Sequence, residues 1–140
     1  MIQEFQGKYR FLSNFWPAIV FLDGEEYATV EHAYQAAKCS DPAYRALVRM
    51  ARTPGDAKRL GRRAAKDVKW EARKIMVMRD LVRQKFRSPA LRTLLQATGD
   101  ERLVEGNRWH DRFWGHCLCG TCPPGQNHLG RILEQVRAEL

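Results

Sequence analysis

The stretch Tyr27–Lys38, YATVEHAYQAAK, decides how this chain is read. Thr29 is a helix cap, and the alanines at 33, 36 and 37 favour helix after it. Within that helix Glu31, Gln35 and Lys38 fall at i, i+4 and i+7, so an acid, an amide and an amine share one face, with Tyr34 at its border. Spacing alone favours a surface helix whose acid sits at the positive N-terminal end. The competing reading has the same stripe flanking a ligand, with Glu31 as general acid or base and Lys38 as nucleophile or anion clamp. His32 reads as a surface or packed residue.

Working outward, AIVFLDGEEY at 18–27 carries Asp23-Gly24 between extended residues, a strong signal for a two-residue hairpin. Downstream, Asp41-Pro42, Thr53-Pro54 and Ser88-Pro89 each set a capping side chain before a proline at the first helical position. The helix after Asp41 is expected to bury Leu47 and Met50. The one after Thr53 is short and basic, with Gly61 as a weak point. A long helix covers about Trp70 to Phe86, with Trp70, Ile75, Val77, Met78, Leu81 and Val82 on a wide apolar face. Leu91, Leu94 and Leu95 mark the next helix. Leu129, Ile132, Leu133, Val136 and Leu140 give the last one helical spacing. Between these lies RLVEGNRWHDRFWGHCLCGTCPPGQNHLG, rich in Trp, Cys, Gly and Pro, which reads as short extended pieces and loops. The expected architecture is a single α+β domain over 1–140. It is mostly helical, with a small β-sheet formed by the early hairpin and the segment near 103–114.

The totals narrow the function classes. The chain has 140 residues, 44% of them hydrophobic, which argues against disorder. No apolar run is long enough to span a bilayer and MIQEFQGKYR is no signal sequence, so a cytoplasmic protein with reduced cysteines is expected. The net charge of +8 is uneven: 16 Lys+Arg against 4 Asp+Glu between Arg45 and Arg92, and 8 against 12 elsewhere. The basic middle suits a phosphate-bearing partner, or is the solvated face of amphipathic helices.

Three other groups of residues offer chemistry. Cys117, Cys119 and Cys122 lie near His110, His116 and His128. Four thiolate or imidazole ligands from this set could hold zinc, but C-x-C-x-x-C has one ordinary pair spacing and no second CxxC, so a reduced loop shaped by Gly and Pro is the expected reading. VEGNRWHDRFWG places Glu105, Asp111, Trp109 and Trp114 close in sequence, a set suited to a planar, hydrogen-bonding ligand. In LSNFWP, Ser13 and Asn14 hold ligand hydroxyls or shape a turn. GQNHLG at 125–130 lacks the Lys-Ser/Thr of a phosphate-binding P-loop.

Taken in order, YRFLSNFWPA (9–18), YATVEHAYQAAK (27–38), AKRLGR (57–62), VKWEARKIMVMRDLVRQKF (68–86), LLQATGDERLVEGNRWHDRFWG (94–115) and GQNHLGRILEQVR (125–137) resemble the NADAR family, the YbiA-like group. The resemblance runs over nearly the whole chain. It implies a compact α+β fold and an N-glycosidase that hydrolyses the bond between ribose and an amino group of a base. The implied substrates are riboflavin-pathway ribosylamino-pyrimidine phosphates or ADP-ribosylated guanine in nucleic acid. Carried over by motif, Glu31, Lys38 and Asp111 are the implied catalytic residues, and Asn14, Tyr34, Gln35, Glu105, Trp114 and Asn127 bind substrate. Trp114, with Trp109 or Phe113, would stack on the base, and Arg59, Arg62, Arg63 and Lys66 would attract phosphate. No cofactor, metal or membrane is expected, and a monomer is. A hypothesis of another class is a non-catalytic reader of ADP-ribose or nucleic acid. The loop GHCLCGTCPPGQN departs from parts of the group, where it is shorter and has no cysteine.

Overall fold

The hairpin forms where Asp23-Gly24 predicts it. Both residues take positive φ, 50° and 80°, the backbone of the tight turn that matches strand twist. They join β1 (Val20–Leu22) to β2 (Glu25–Tyr27) in antiparallel register, Val20 opposite Tyr27. The computed structural model describes Met1–Leu140 and shows an α+β fold made of two units: residues 14–85, and residues 1–13 with 86–140.

In the first unit α1 (Val30–Ala37) is the central element, followed by α2 (Pro42–Arg49), α3 (Pro54–Arg63) and α4 (Trp70–Lys85). Thr29 caps α1 by accepting the His32 N–H at 3.0 Å. Asp41 and Thr53 cap α2 and α3 in the same way. All eight residues of α1 are buried, and the helix packs against α2, α3, α4 and the hairpin. It is therefore not a surface helix. The alanines let neighbours approach closely on several sides.

α2 turns differently from expectation. Val48 is buried, while Leu47 and Met50 are 59% and 78% exposed. The inward stripe is Tyr44, Arg45 and Val48: Tyr44 donates to the Leu60 carbonyl at 2.6 Å and Arg45 to that of Ala36 at 3.1 Å. α4 buries Trp70, Met78, Leu81 and Val82, and the stripe continues onto Lys85, which is 2% exposed.

The second unit opens with a 3-10 helix (Gly7–Leu12) that packs on α5 (Pro89–Gln96). Pro89 starts α5, but Ser88 makes no capping bond through its side chain, and Leu94 is exposed while Leu91 and Leu95 are buried. β3 (Gly106–Asn107) and β4 (His116–Cys117) pair in parallel. α6 (His128–Ala138) buries Leu129, Ile132, Leu133 and Val136, as the spacing predicts.

The expected sheet joining the hairpin to the 103–114 segment does not form; each is a separate two-stranded sheet. The hairpin's open edge is already satisfied. The Gln84 side chain in α4 accepts the Phe21 N–H at 2.8 Å and donates to the Phe21 carbonyl at 2.9 Å. An amide side chain thus stands where a third strand would pair.

Burial lowers the Lys85 amine from the ordinary 10.5 to about 7. Between those values the unfolded chain holds a proton that the folded chain has released, so this group makes stability rise with pH from about 7 to 10.5. The melting temperature of Lys85→Met relative to wild type should therefore be highest near pH 7 and fall as pH nears 10. Thermal unfolding of both proteins across that range checks the sign.

Candidate active site

The unit of residues 14–85 brings Asn14, Glu31, Tyr34, Gln35 and Lys38 onto or beside α1. The Asn14 carbonyl accepts the Glu31 N–H at 3.1 Å, and its side-chain amide lies 3.5 Å from Met78 Sδ. Gln35 Nε2 donates to Glu31 Oε2 at 2.6 Å. Glu31 and Gln35 are 7% and 4% exposed. A carboxylate kept from water needs such donors, and a charge-assisted bond of this length is among the stronger kinds.

Gly61 of α3 makes that pairing possible. A Cβ there would stand 1.9 Å from Gln35 Oε1. What reads in the sequence as a weak point is where α3 comes closest to the side chains of α1. Gln35 Oε1 itself is buried and accepts no hydrogen bond, so the amide is oriented by its bond to Glu31 and by the backbone of α3.

His32 is packed. Its Nε2 lies 3.0 Å from the Ala51 carbonyl, which only accepts, so Nε2 carries the hydrogen; Nδ1 meets Thr29 Oγ1 at 2.8 Å. The imidazole ties α1 to the end of α2 and is not aligned with the Glu31 stripe.

Lys38 follows α1 and is half-buried. Its Nζ sits 5.8 Å from the centre of the Tyr34 ring, which stacks at a tilt on Trp70 at 5.2 Å. The segment after it pairs with the approach to α4: Cys39 bridges Lys66, Ser40 N donates to the Ala65 carbonyl and Asp67 N to the Lys38 carbonyl. That pairing places Lys66 beside Lys38. Burial pushes the Lys38 amine below the usual lysine range; Glu31 opposes this, and the cations Lys66 and Arg62 add to it. A lysine with a lowered pKa, a carboxylate on the same stripe and two flanking cations can do proton transfer, nucleophilic attack and phosphate binding. Arg59 pairs with Asp56, and with Arg52 and Arg63 they line a groove of about 370 Å³.

The other unit brings together Glu105, Asp111, Trp114 and Asn127 around a residue the sequence reading missed, Asn107. Its Nδ2 donates to Glu105 Oε2 at 3.1 Å and to the Asp111 carbonyl at 2.9 Å, and its Oδ1 accepts the Asp111 N–H at 3.0 Å. It is 2% exposed. A lone asparagine in a loop gives no periodic signal; only the density of polar residues around it hinted at a hub. Asp111 Oδ1 accepts the N–H groups of Phe113 and Trp114, at 3.0 and 2.9 Å. Trp114 meets Phe113 edge-on at 4.8 Å, and Phe113 lies 4.5 Å from the His128 ring. Asn127 takes a left-handed backbone, accepts the Glu105 N–H and donates to the Leu103 carbonyl, each at 2.9 Å. Its amide is thus committed to the loop's own backbone. Trp109 is 52% exposed.

A family model for the NADAR domain matches residues 2–140. The chain is 41% identical to the N-glycosidase Npun_R5314 of Nostoc punctiforme, covering 94% of this chain and 86% of that protein. It is 40% identical to the N-glycosidase YbiA of Escherichia coli, covering 91% and 79%. The NMR structure of E. coli YbiA superimposes with a TM-score of 0.84 at 35% identity, over 99% of this chain and 84% of that one. A riboflavin biosynthesis protein of Vibrio vulnificus, VVA0006, is 38% identical over 93% of this chain, which spans 35% of that protein.

The Gly61 contact makes a testable demand. Gly61→Ala should push the Gln35 amide aside and cost about 1–3 kcal/mol of overpacking. If Glu31 carries protons in the reaction, turnover should fall with it, because Glu31 loses the Gln35 donor. Urea unfolding and initial rates on the same preparation measure both; a variant unchanged in each would show that the contact is loose.

Proposed function

The chain belongs to the NADAR domain family and is an enzyme of the N-glycosidase class, and we propose that the bond it hydrolyses joins C1 of a phosphorylated ribose to an amino group on a pyrimidine- or purine-type base. The observation that carries this reading is Lys38. Its amine is lowered by burial and by Lys66 and Arg62, and it shares a helix face with Glu31. A ribosylamine opens to an imine at C1. The neutral Lys38 amine adds there, and loss of the base's amine leaves a Lys38–C1 iminium. Glu31 takes the proton from the attacking nitrogen and returns it to the departing amine. Water then adds to C1, the C1–Nζ bond breaks, and free sugar phosphate and free lysine result. The flanking cations draw the substrate's phosphate toward the same helix end.

The Vibrio relative's name supports a ribosylamino-pyrimidine phosphate as substrate, and a guanine carrying ADP-ribose has the same amine-to-C1 linkage. Asp111, whose Oδ1 organises its own loop, is assigned to holding the Trp114 segment in shape, with Glu31 carrying the protons. We assign the protein to the cytoplasm as a monomer; no helix is long and apolar enough to cross a membrane.

A panel of ribosylamino-pyrimidine phosphates and ADP-ribosylated guanine, read by mass spectrometry, tests the assignment. Wild type should release the base's free amine together with ribose phosphate or ADP-ribose, and Glu31→Gln should lose about 10²–10⁴ of the rate. Borohydride added during turnover should leave a reduced sugar on Lys38. No adduct, together with substantial turnover by Lys38→Ala, would sink the covalent route and leave direct attack by water. On a polynucleotide substrate the rate should fall steeply with salt; a flat response would mark a small, singly phosphorylated one.

The pH profile has a predicted sign. Activity should rise with pH as Lys38 loses its proton, with a midpoint below 10.5. Lys66→Gln removes a neighbouring cation, so the midpoint should move to higher pH.

A further inference from the structure

The loop between β3 and β4, with the turn after it, holds a second constellation. His110 takes a left-handed backbone, φ 67°, uncommon for a residue with a side chain, and its ring comes within reach of the cysteines. Nδ1 lies 3.1 Å from Cys122 Sγ and 3.4 Å from Cys117 Sγ. Cys119 Sγ lies 3.4 Å from Cys122 Sγ. All four donor atoms fall within 4.8 Å of one another, and the cysteines are unbridged. A tetrahedral zinc with bonds of about 2.3 Å to sulfur and about 2.0 Å to nitrogen has ligands about 3.5–3.8 Å apart. Thiols are weak hydrogen-bond donors, so two of them on one imidazole, with a third against Cys122, gain little from hydrogen bonding alone.

We propose that His110 Nδ1 and the sulfurs of Cys117, Cys119 and Cys122 bind one zinc ion, and that this closed, four-ligand site clamps the loop carrying Asp111 and Trp114. The donor set of three sulfurs and one imidazole suits zinc and not magnesium or calcium. On binding, the three thiols each release a proton to solvent and the imidazole coordinates as the neutral ring. The surroundings supply further support. Thr121 N–H points to Cys119 Sγ at 3.4 Å, the kind of donor that steadies a metal-bound thiolate. The other imidazoles are engaged: His116 Nδ1 accepts the Gly125 N–H, and His128 Nε2 meets Gln126 Oε1. Cys117 lies in β4 beside Asn107, whose side chain grips the residue next to His110. The ion would thus join both ends of that grip. The cysteine spacing lacks a second CxxC; the fourth ligand is instead a histidine seven residues before the first cysteine, aimed by its own backbone.

The test needs no substrate, so it stands or falls apart from the glycosidase reading. Full-length protein, purified under reducing conditions without a metal-affinity step, should carry about one zinc per chain by elemental analysis. Cobalt added to stripped protein should give the visible bands of a tetrahedral, thiolate-rich site. Cys119→Ser/Cys122→Ser should abolish both, and Cys39→Ser should keep both. Stripping the zinc should speed proteolysis within residues 108–122. The proposal is overturned if folded wild type takes up neither zinc nor cobalt, or if the double variant binds as much as wild type. Should that variant fail to fold, cobalt titration of wild type decides alone.

Discussion

A buried carboxylate is the constraint on which the unit of residues 14–85 turns. Glu31 sits in a helix surrounded by other helices, where an ionised group without a donor would cost several kcal/mol. The chain supplies the donor one turn along, from Gln35, and leaves out a Cβ at Gly61 so that the amide fits. The Asn14 carbonyl then fixes where the helix begins. The capping threonine, the alanines and the glycine of a neighbouring helix all serve to hold one acid indoors. That is an expensive arrangement for a residue whose only task is solubility, and a sensible one for a proton carrier.

The other unit solves a different problem. Between β3 and α6 there is little regular structure, yet the loop's peptide groups still need partners. Three side chains stand in for backbone: Asn107 for the turn at Asp111, Asp111 for the start of the Phe113–Trp114 turn, and Asn127 for the join between Leu103 and Glu105. Side chains that look like ligand contacts in the sequence are here largely committed to shaping the loop. This moves the chemical emphasis toward α1 and Lys38.

What was legible in the sequence follows from how local each cause is. The Asp23-Gly24 turn and the Pro-started helices depend on two or three adjacent residues, so they could be read directly. The inward face of α2 could not, because that helix of eight residues has apolar groups on more than one side and its orientation is settled by Tyr44 and Arg45 reaching other segments. Glu31 and Gln35 run against ordinary patterning, in which polar residues face water. Spacing alone put them on the surface, and only the resemblance of the surrounding motifs to a family turned them inward. Asn107 was invisible because a single polar residue has no period; His110 was in view beside the cysteines, but which imidazole faces them is settled by the left-handed backbone at His110.

The amide of Gln84 has an effect beyond closing the hairpin. A free strand edge is where one molecule can template another, and Phe21 on this edge is 52% exposed and apolar. With its N–H and carbonyl already held by one side chain, a passing strand has nothing to dock onto until Gln84 lets go. α4 therefore does more than fill the core: one of its side chains keeps this edge from pairing with another strand.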